Sequence, residues 1–129
     1  MKPIIDIVDD DDSIRRALKR LIRSVGMDVE VFASAQEYLD SEHRNHNACM
    51  IVDIRMPGMS GLELQDELHT RGSHLPLIFI TAFDSPETRD QAKKAGAAGY
   101  FRKPIDDQAL LDSIQWALTR QTRNHDLAS

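Results

Sequence analysis

The chain is poor in the features that mark a protein for export or for a bilayer. Cys49 is its only cysteine, so no internal disulfide can form. No apolar run approaches the ~20 residues that cross a membrane. The opening Met1-Lys2-Pro3-Ile4-Ile5-Asp6 is too short for a secretory core. Together these absences lead us to expect a cytoplasmic chain. Basic charge is also scarce: 16 Lys and Arg stand against 21 Asp and Glu, a net charge of -5, which argues against broad contact with nucleic acid. Repeats and low-complexity segments are missing too. What remains is 129 residues, 41% of them hydrophobic, enough for one domain with a buried core.

Within that chain one stretch stands out. The apolar run Cys49 to Val52 ends abruptly in Asp53, and Pro57, Gly58 and Gly61 then break the chain. This pattern predicts a buried strand that delivers one acid to a loop. Similar units surround it. Residues 4–8 predict strand 1, with Asp6 an unexplained acid inside it. A helix from about Ser13 should bury Ile14, Ala17, Leu18, Leu21, Ile22 and Val25, ending at Gly26. Val29, Val31 and Phe32 suggest strand 2. Ser34 and Glu37, then Ser60 and Glu63, have the spacing of capping boxes, with Tyr38 and Leu39 facing inward after the first and Leu62, Leu64 and Leu68 following in the helix that the second opens. Residues 41–47 form a polar loop, and Leu75 to Ile80 predict strand 4. Pro86 opens a helix whose inward residues, Thr88, Ala92 and Ala95, anchor it weakly. Gly99 to Phe101 predict strand 5. Asp106 or Asp107 caps a last helix with Leu110, Leu111, Ile114, Ala117 and Leu118 as its stripe, and the polar segment from Thr119 should fray. Strands alternating with helices imply an α/β domain whose mainly parallel sheet is covered on both faces.

In such a sheet the carboxyl ends of the strands share one edge, where ligands bind. Strand 1 ends in Asp9 and Asp10, strand 3 in Asp53, strand 4 in Thr81, and Lys103 follows strand 5. Each has an ordinary role taken singly: a helix cap, a turn, a strand end, a solvated amine. Jointly they suggest phosphoryl transfer. Crowded carboxylates repel and raise at least one pKa, and a hard divalent cation relieves them. Asp10 and Asp53 would bind Mg²⁺ directly, Asp9 through a water, and the Arg55 carbonyl would add an oxygen. Asp53 would then be the nucleophile, with Lys103 and the Thr81 hydroxyl meeting the phosphoryl oxygens.

Val8-Asp9-Asp10-Asp11, Asp53-Ile54-Arg55-Met56-Pro57-Gly58-Met59-Ser60-Gly61, Ile80-Thr81-Ala82 and Lys103-Pro104 together resemble the receiver domain of two-component response regulators. The Met-Pro-Gly-Met-Ser-Gly run is most similar to the nitrogen-fixation-regulator type. The resemblance covers about residues 3–120. It implies a flavodoxin-like (βα)5 sheet of order 2-1-3-4-5 and a cis Lys103-Pro104 bond. It also implies Mg²⁺-dependent phosphorylation of Asp53 by the phosphohistidine of a sensor histidine kinase or phosphotransfer protein. Thr81 and Tyr100 would be the switch pair. The face made by helix 4, strand 5 and helix 5 would carry the output and a possible homodimer. Such a chain catalyses its own aspartyl phosphorylation and dephosphorylation without being a metabolic enzyme. Residues 1–120 would form the domain and 121–129 a polar tail or the start of a linker. Phe83 beside the site departs from the pattern and bears on water access.

Three rivals deserve comparison. Asp9-x-Asp11 after a strand also resembles the nucleophile motif of a haloacid-dehalogenase-type phosphatase, which would phosphorylate Asp9; a later acidic pair and room for a cap are lacking. A flavin binder needs a glycine- and hydroxyl-rich loop where four aspartates stand. His43 and His46 are too few for a metal site. The basic face of helix 1 (Arg15, Arg16, Lys19, Arg20, Arg23) reads as solvated charge, with kinase docking as the alternative.

Overall fold

A computed structural model describes residues 2–41 and 49–128, with side chains as far as Arg120. Strands β1 (Ile4–Val8), β2 (Asp28–Phe32), β3 (Cys49–Asp53), β4 (Leu77–Thr81) and β5 (Gly99–Arg102) alternate with helices α1 (Asp12–Ser24), α2 (Ala35–Asp40), α3 (Gly61–Thr70), α4 (Pro86–Lys94) and α5 (Asp107–Ala128). The strands pair in parallel in the order β2-β1-β3-β4-β5. This is the flavodoxin-like arrangement expected.

The sheet is apolar because both faces are covered. All five residues of β3 and of β4 are buried. Alternation sends Val8, Met50, Val52 and Phe79 to one face, where Tyr38, Leu64, Leu68 and Ala92 cover them. Ile5, Ile7, Ile51, Ile78 and Ile80 meet Leu18, Ile22, Leu110 and Ile114 of α1 and α5 on the other. Asp6 now has an account. It is fully buried at the middle of β1, on the first of these faces, and Tyr38 of α2 hydrogen-bonds to its carboxylate. Burial first, and then the Asp6 charge, push the Tyr38 hydroxyl well above its usual pKa.

Several local expectations need correction. In α1, Leu18 and Ile22 are buried, whereas Ala17 is exposed and Val25 is 49% exposed. Ala17 sits at the flank of the apolar stripe. Val25 is already the C-cap, off the helical path, and Gly26 turns the chain with φ +87°. Strand β4 starts at Leu77 rather than Leu75, because Pro76 brings no N–H to the ladder; its carbonyl still accepts from Met50 N–H at 2.9 Å. The Ser60–Glu63 capping box is complete. At α2, Ser34 accepts from Glu37 N–H, but the Glu37 carboxylate takes the Ala33 N–H instead of closing the box. Asp11, Ser85 and Asp106 cap α1, α4 and α5. Helix α5 continues to Ala128, where fraying from Thr119 was expected. His43 and His46 lie outside the described residues. No helix among the described residues is long and apolar enough to cross a membrane.

Candidate functional site

The carboxyl edge of the sheet assembles five of the residues singled out in the sequence. Asp9 follows β1 and is fully buried; Asp53 ends β3 at 6% exposure; Thr81 ends β4, fully buried; Asp10 is exposed. Carboxylate oxygens of Asp9, Asp10 and Asp53 lie within 4.8 Å of one another. Lys103 reaches in from beyond β5. Its Nζ donates to Asp9 Oδ2 at 2.9 Å and to Asp53 Oδ2 at 3.2 Å. The Lys103–Pro104 peptide is cis, as expected.

Backbone donors engage the remaining oxygens. Asp11 N–H donates to Asp9 Oδ1 at 2.9 Å, and Arg55 N–H to Asp53 Oδ1 at 3.2 Å. Even so, burial and then the Asp9 charge hold the Asp53 carboxyl above its ordinary value, with Lys103 opposing them. Burial alone would lower Lys103, but its bonds to Asp9 and Asp53 more than offset that and raise it. The site therefore holds more negative charge than one amine balances. Three clustered carboxylates are hard oxygen donors of the kind that suit a small divalent cation, so the residues present fit a metal ion.

Two contributions to this geometry were not legible beforehand. Gly61 had been noted only as a chain breaker. A Cβ there would lie 2.5 Å from the Asp53 carbonyl oxygen and 3.1 Å from Ile54 Cα, so α3 can start against β3 only with glycine at its first position. Gly61 N–H also donates to Ile54 O at 2.9 Å. Arg15 belonged to a face read as solvated. Its guanidinium instead donates to the Asp9 carbonyl at 2.7 Å and pairs with Asp12, steadying the β1–α1 turn.

Thr81 and Tyr100 occupy different surroundings. Thr81 Oγ1 accepts from Phe83 N–H at 3.0 Å, a bond that does not use its hydroxyl hydrogen. Tyr100 is paired with Phe79 in the sheet. Its hydroxyl donates to Asp84 Oδ1 at 2.9 Å, and Arg89 bonds the other Asp84 oxygen while lying 5.5 Å above the tyrosine ring. At the rim, the Arg55 guanidinium lies 4.7 Å over the ring of Phe83, which is 59% exposed.

A doubly wound sheet with an acidic, cation-competent pocket and a bridging lysine at its switch edge defines a phosphoryl-accepting signalling domain. The model of the response regulator receiver domain matches residues 5–115, and the chain belongs to that family. It is 41% identical to nodulation protein W of Bradyrhizobium diazoefficiens over 125 residues, covering 97% of this chain and 55% of that protein. It is 38% identical to the transcriptional regulatory protein FixJ of Azorhizobium caulinodans over 128 residues, covering 97% and 61%. Among solved structures, response regulator StyR superposes with a TM-score of 0.85 at 41% identity, covering 98% of this chain and 66% of that one. The crystal structure of FixJ-N gives 0.80 at 30% identity, covering 92% and 95%. The chain thus spans about half the length of the curated relatives it matches. Receiver domains of this family are phosphoacceptor signalling modules that interact with histidine kinases. The haloacid-dehalogenase-type alternative has no support from these matches.

Proposed function

We propose that Asp53 accepts the phosphoryl group, and the observation that carries this is the Lys103 amine bridging Asp9 and Asp53. An Asp53 carboxylate oxygen attacks phosphorus on a phosphohistidine of a sensor histidine kinase or phosphotransfer protein. The P–N bond breaks, and its electron pair leaves with the imidazole, which takes up a proton. Lys103 stays with the phosphoryl oxygens, and the Thr81 hydroxyl donates to another of them. Asp10 and Asp53 would hold Mg²⁺ directly, Asp9 through a water and Arg55 through its carbonyl, and the ion would neutralise charge on the phosphoryl oxygens. Hydrolysis of the acyl phosphate returns the chain to its starting state, with Phe83 and Arg55 over the rim.

Pulling Thr81 toward the phosphoryl group changes the β4–α4 turn, and Tyr100 reorients with it. The α4–β5–α5 face then passes the event to a homodimer partner or to output segments in a longer cytoplasmic protein, without direct nucleic-acid contact by this domain. Incubation with acetyl phosphate, with and without Mg²⁺, tests the central assignment. Wild type is expected to gain a labile phosphoryl adduct only with the metal, and Asp53→Asn to gain none. Equal labelling of the variant would overturn it.

A further inference from the structure

Helix α4 is fastened differently at its two ends. Its C-terminal end is built into the fold. Ala92 is 1% exposed, and Gly96 turns the chain with φ +82°. Gly96 N–H donates to Lys93 O at 3.0 Å and Ala97 N–H to Ala92 O at 3.1 Å, a closure that satisfies the last carbonyls of the helix. Ala98 N–H then meets Leu77 O at 2.8 Å, so the chain is tied to β4 directly after the helix.

A further tie at this end comes from α3. Gln65 is 3% exposed, and its amide nitrogen donates at 2.9 Å to the carbonyl of Ala95, the C-cap of α4. The amide oxygen is buried with no hydrogen-bond partner among the described residues. Breaking the Ala95 bond would therefore leave both polar atoms of a buried side chain unmet, which is costly. Away from water such a bond is also stronger than one at the surface. Gln65 stands on the helix that Gly61 seats against the Asp53 strand, so the tie runs back to the rigid part of the fold.

The N-terminal end has looser fastenings. Ser85 bonds Thr88 of its own helix, which ties the first turn to itself. Asp84 pairs with Arg89, also of α4, whose side chain is 63% exposed. From other elements, the Tyr100 hydroxyl reaches Asp84 and the Arg55 guanidinium lies over the exposed Phe83 ring. Exposed ion pairs and stacked cations each contribute little.

We propose that α4 is a lever whose fulcrum is the Gln65–Ala95 contact: the C-terminal end stays against α3 while the N-terminal turn swings. The proposal rests on the phosphoacceptor reading above, in which Thr81 is drawn toward the phosphoryl group. Thr81 already holds Phe83 N–H, so its movement pulls on the loose end. The surface that changes is then the first turn, with Asp84, Glu87 and Arg89, and not Lys93 or Lys94. Gln65 touches none of the pocket residues and acts as a positioning residue.

Nitroxide pairs read the swing. One label replaces exposed Arg20 on α1 (Arg20→Cys), and the other replaces exposed Glu87 or exposed Lys94 (Glu87→Cys or Lys94→Cys). Cys49 is fully buried, with its thiol pushed up to about 12 by that burial, and takes no label. Samples are frozen with Mg²⁺ and acetyl phosphate, and the adduct is counted by mass. With adduct present, the Arg20–Glu87 distance should change by about 2 Å or more and the Arg20–Lys94 distance by less than about 1 Å. Gln65→Met should label to the same yield and let the Lys94 end move as well. Hydrogen exchange reads the fulcrum without any phosphodonor: Ala95 and Ala97 amides should exchange about tenfold faster in Gln65→Met, and the Arg89 amide at its wild-type rate. If no adduct forms, the phosphoacceptor reading falls and the exchange comparison still decides the fulcrum. If Gln65→Met does not fold, the two label pairs in the wild-type background decide. The proposal is overturned if Lys94 moves as far as Glu87 in chains carrying the adduct, or if Gln65→Met leaves the Ala95 and Ala97 exchange rates unchanged.

Discussion

The β3–α3 junction and the β4–α4–β5 segment flank the same pocket and are built on opposite terms. Every residue of β3 is buried, and Gly61 brings the start of α3 against the Asp53 carbonyl with no room for a methyl group. Helix α4 has a single buried residue, Ala92, and its other ties are polar ones at its ends: Ser85 as cap, Asp84 with Arg89 and Tyr100, and Gln65 to the Ala95 carbonyl. Apolar burial contributes roughly 25 cal/mol per Å², so a helix that buries one methyl is held far less firmly than a strand that buries isoleucine, valine and methionine. The chemistry thus sits on an element that resists displacement, and the proposed readout on one that yields. Local stability need not be uniform across a fold, and elements with few apolar contacts are those that move.

The most severe way to break this contrast is Gly61→Ala. The added Cβ would force β3 and α3 apart, and we expect about 2–4 kcal/mol of destabilisation in urea melts together with loss of acetyl phosphate labelling. Truncating the sheet rather than the junction sharpens the comparison. Phe79→Ala should cost about 3–5 kcal/mol, whereas Ala92→Gly in α4 should cost only about 1–2 kcal/mol. Hydrogen exchange should show the second loss confined to α4 and its flanks; uniform acceleration across β3 would erase the distinction drawn here.

The pH dependence is gentler. Asp53 is held above its ordinary carboxyl value of 3.8, so the folded chain keeps that proton to higher pH than the unfolded chain. Stability therefore falls as pH rises from the ordinary value through the raised one. Asp53→Asn has no such loss. In the presence of a chelator its Tm at pH 7 should exceed that of wild type, and the gap should close below about pH 4. Mg²⁺ should raise the wild-type Tm and leave the variant nearly unmoved. Smallest of all is the rim. Losing the Arg55–Phe83 stacking, worth about 0.5–1 kcal/mol, through Phe83→Ala should shorten the half-life of the acyl phosphate two- to fivefold without altering its yield at saturating phosphodonor.

How much of this could be read beforehand follows from the range of each signal. Buried strands, capped helix starts and strand-end acids are local patterns, and β3, the Ser60–Glu63 box and the Asp9, Asp10 and Asp53 acids all appeared where expected. Ala17 and Val25 were misjudged because periodicity marks a stripe without its edges or its end. Gln65, Arg15 and the tightness at Gly61 were invisible, since each depends on what another segment brings near.

By itself, then, the sequence determined the alternation of apolar runs and amphipathic helices, the residues that end each strand, and the excess of negative charge among them. Only the tertiary structure decided that Lys103 lies between Asp9 and Asp53, that Tyr38 meets Asp6, and that Gln65 holds the Ala95 carbonyl. Periodicity operates over a few residues along the chain. Charge pairing and unmet hydrogen bonds act through space, and the first of these contacts joins residues 94 positions apart.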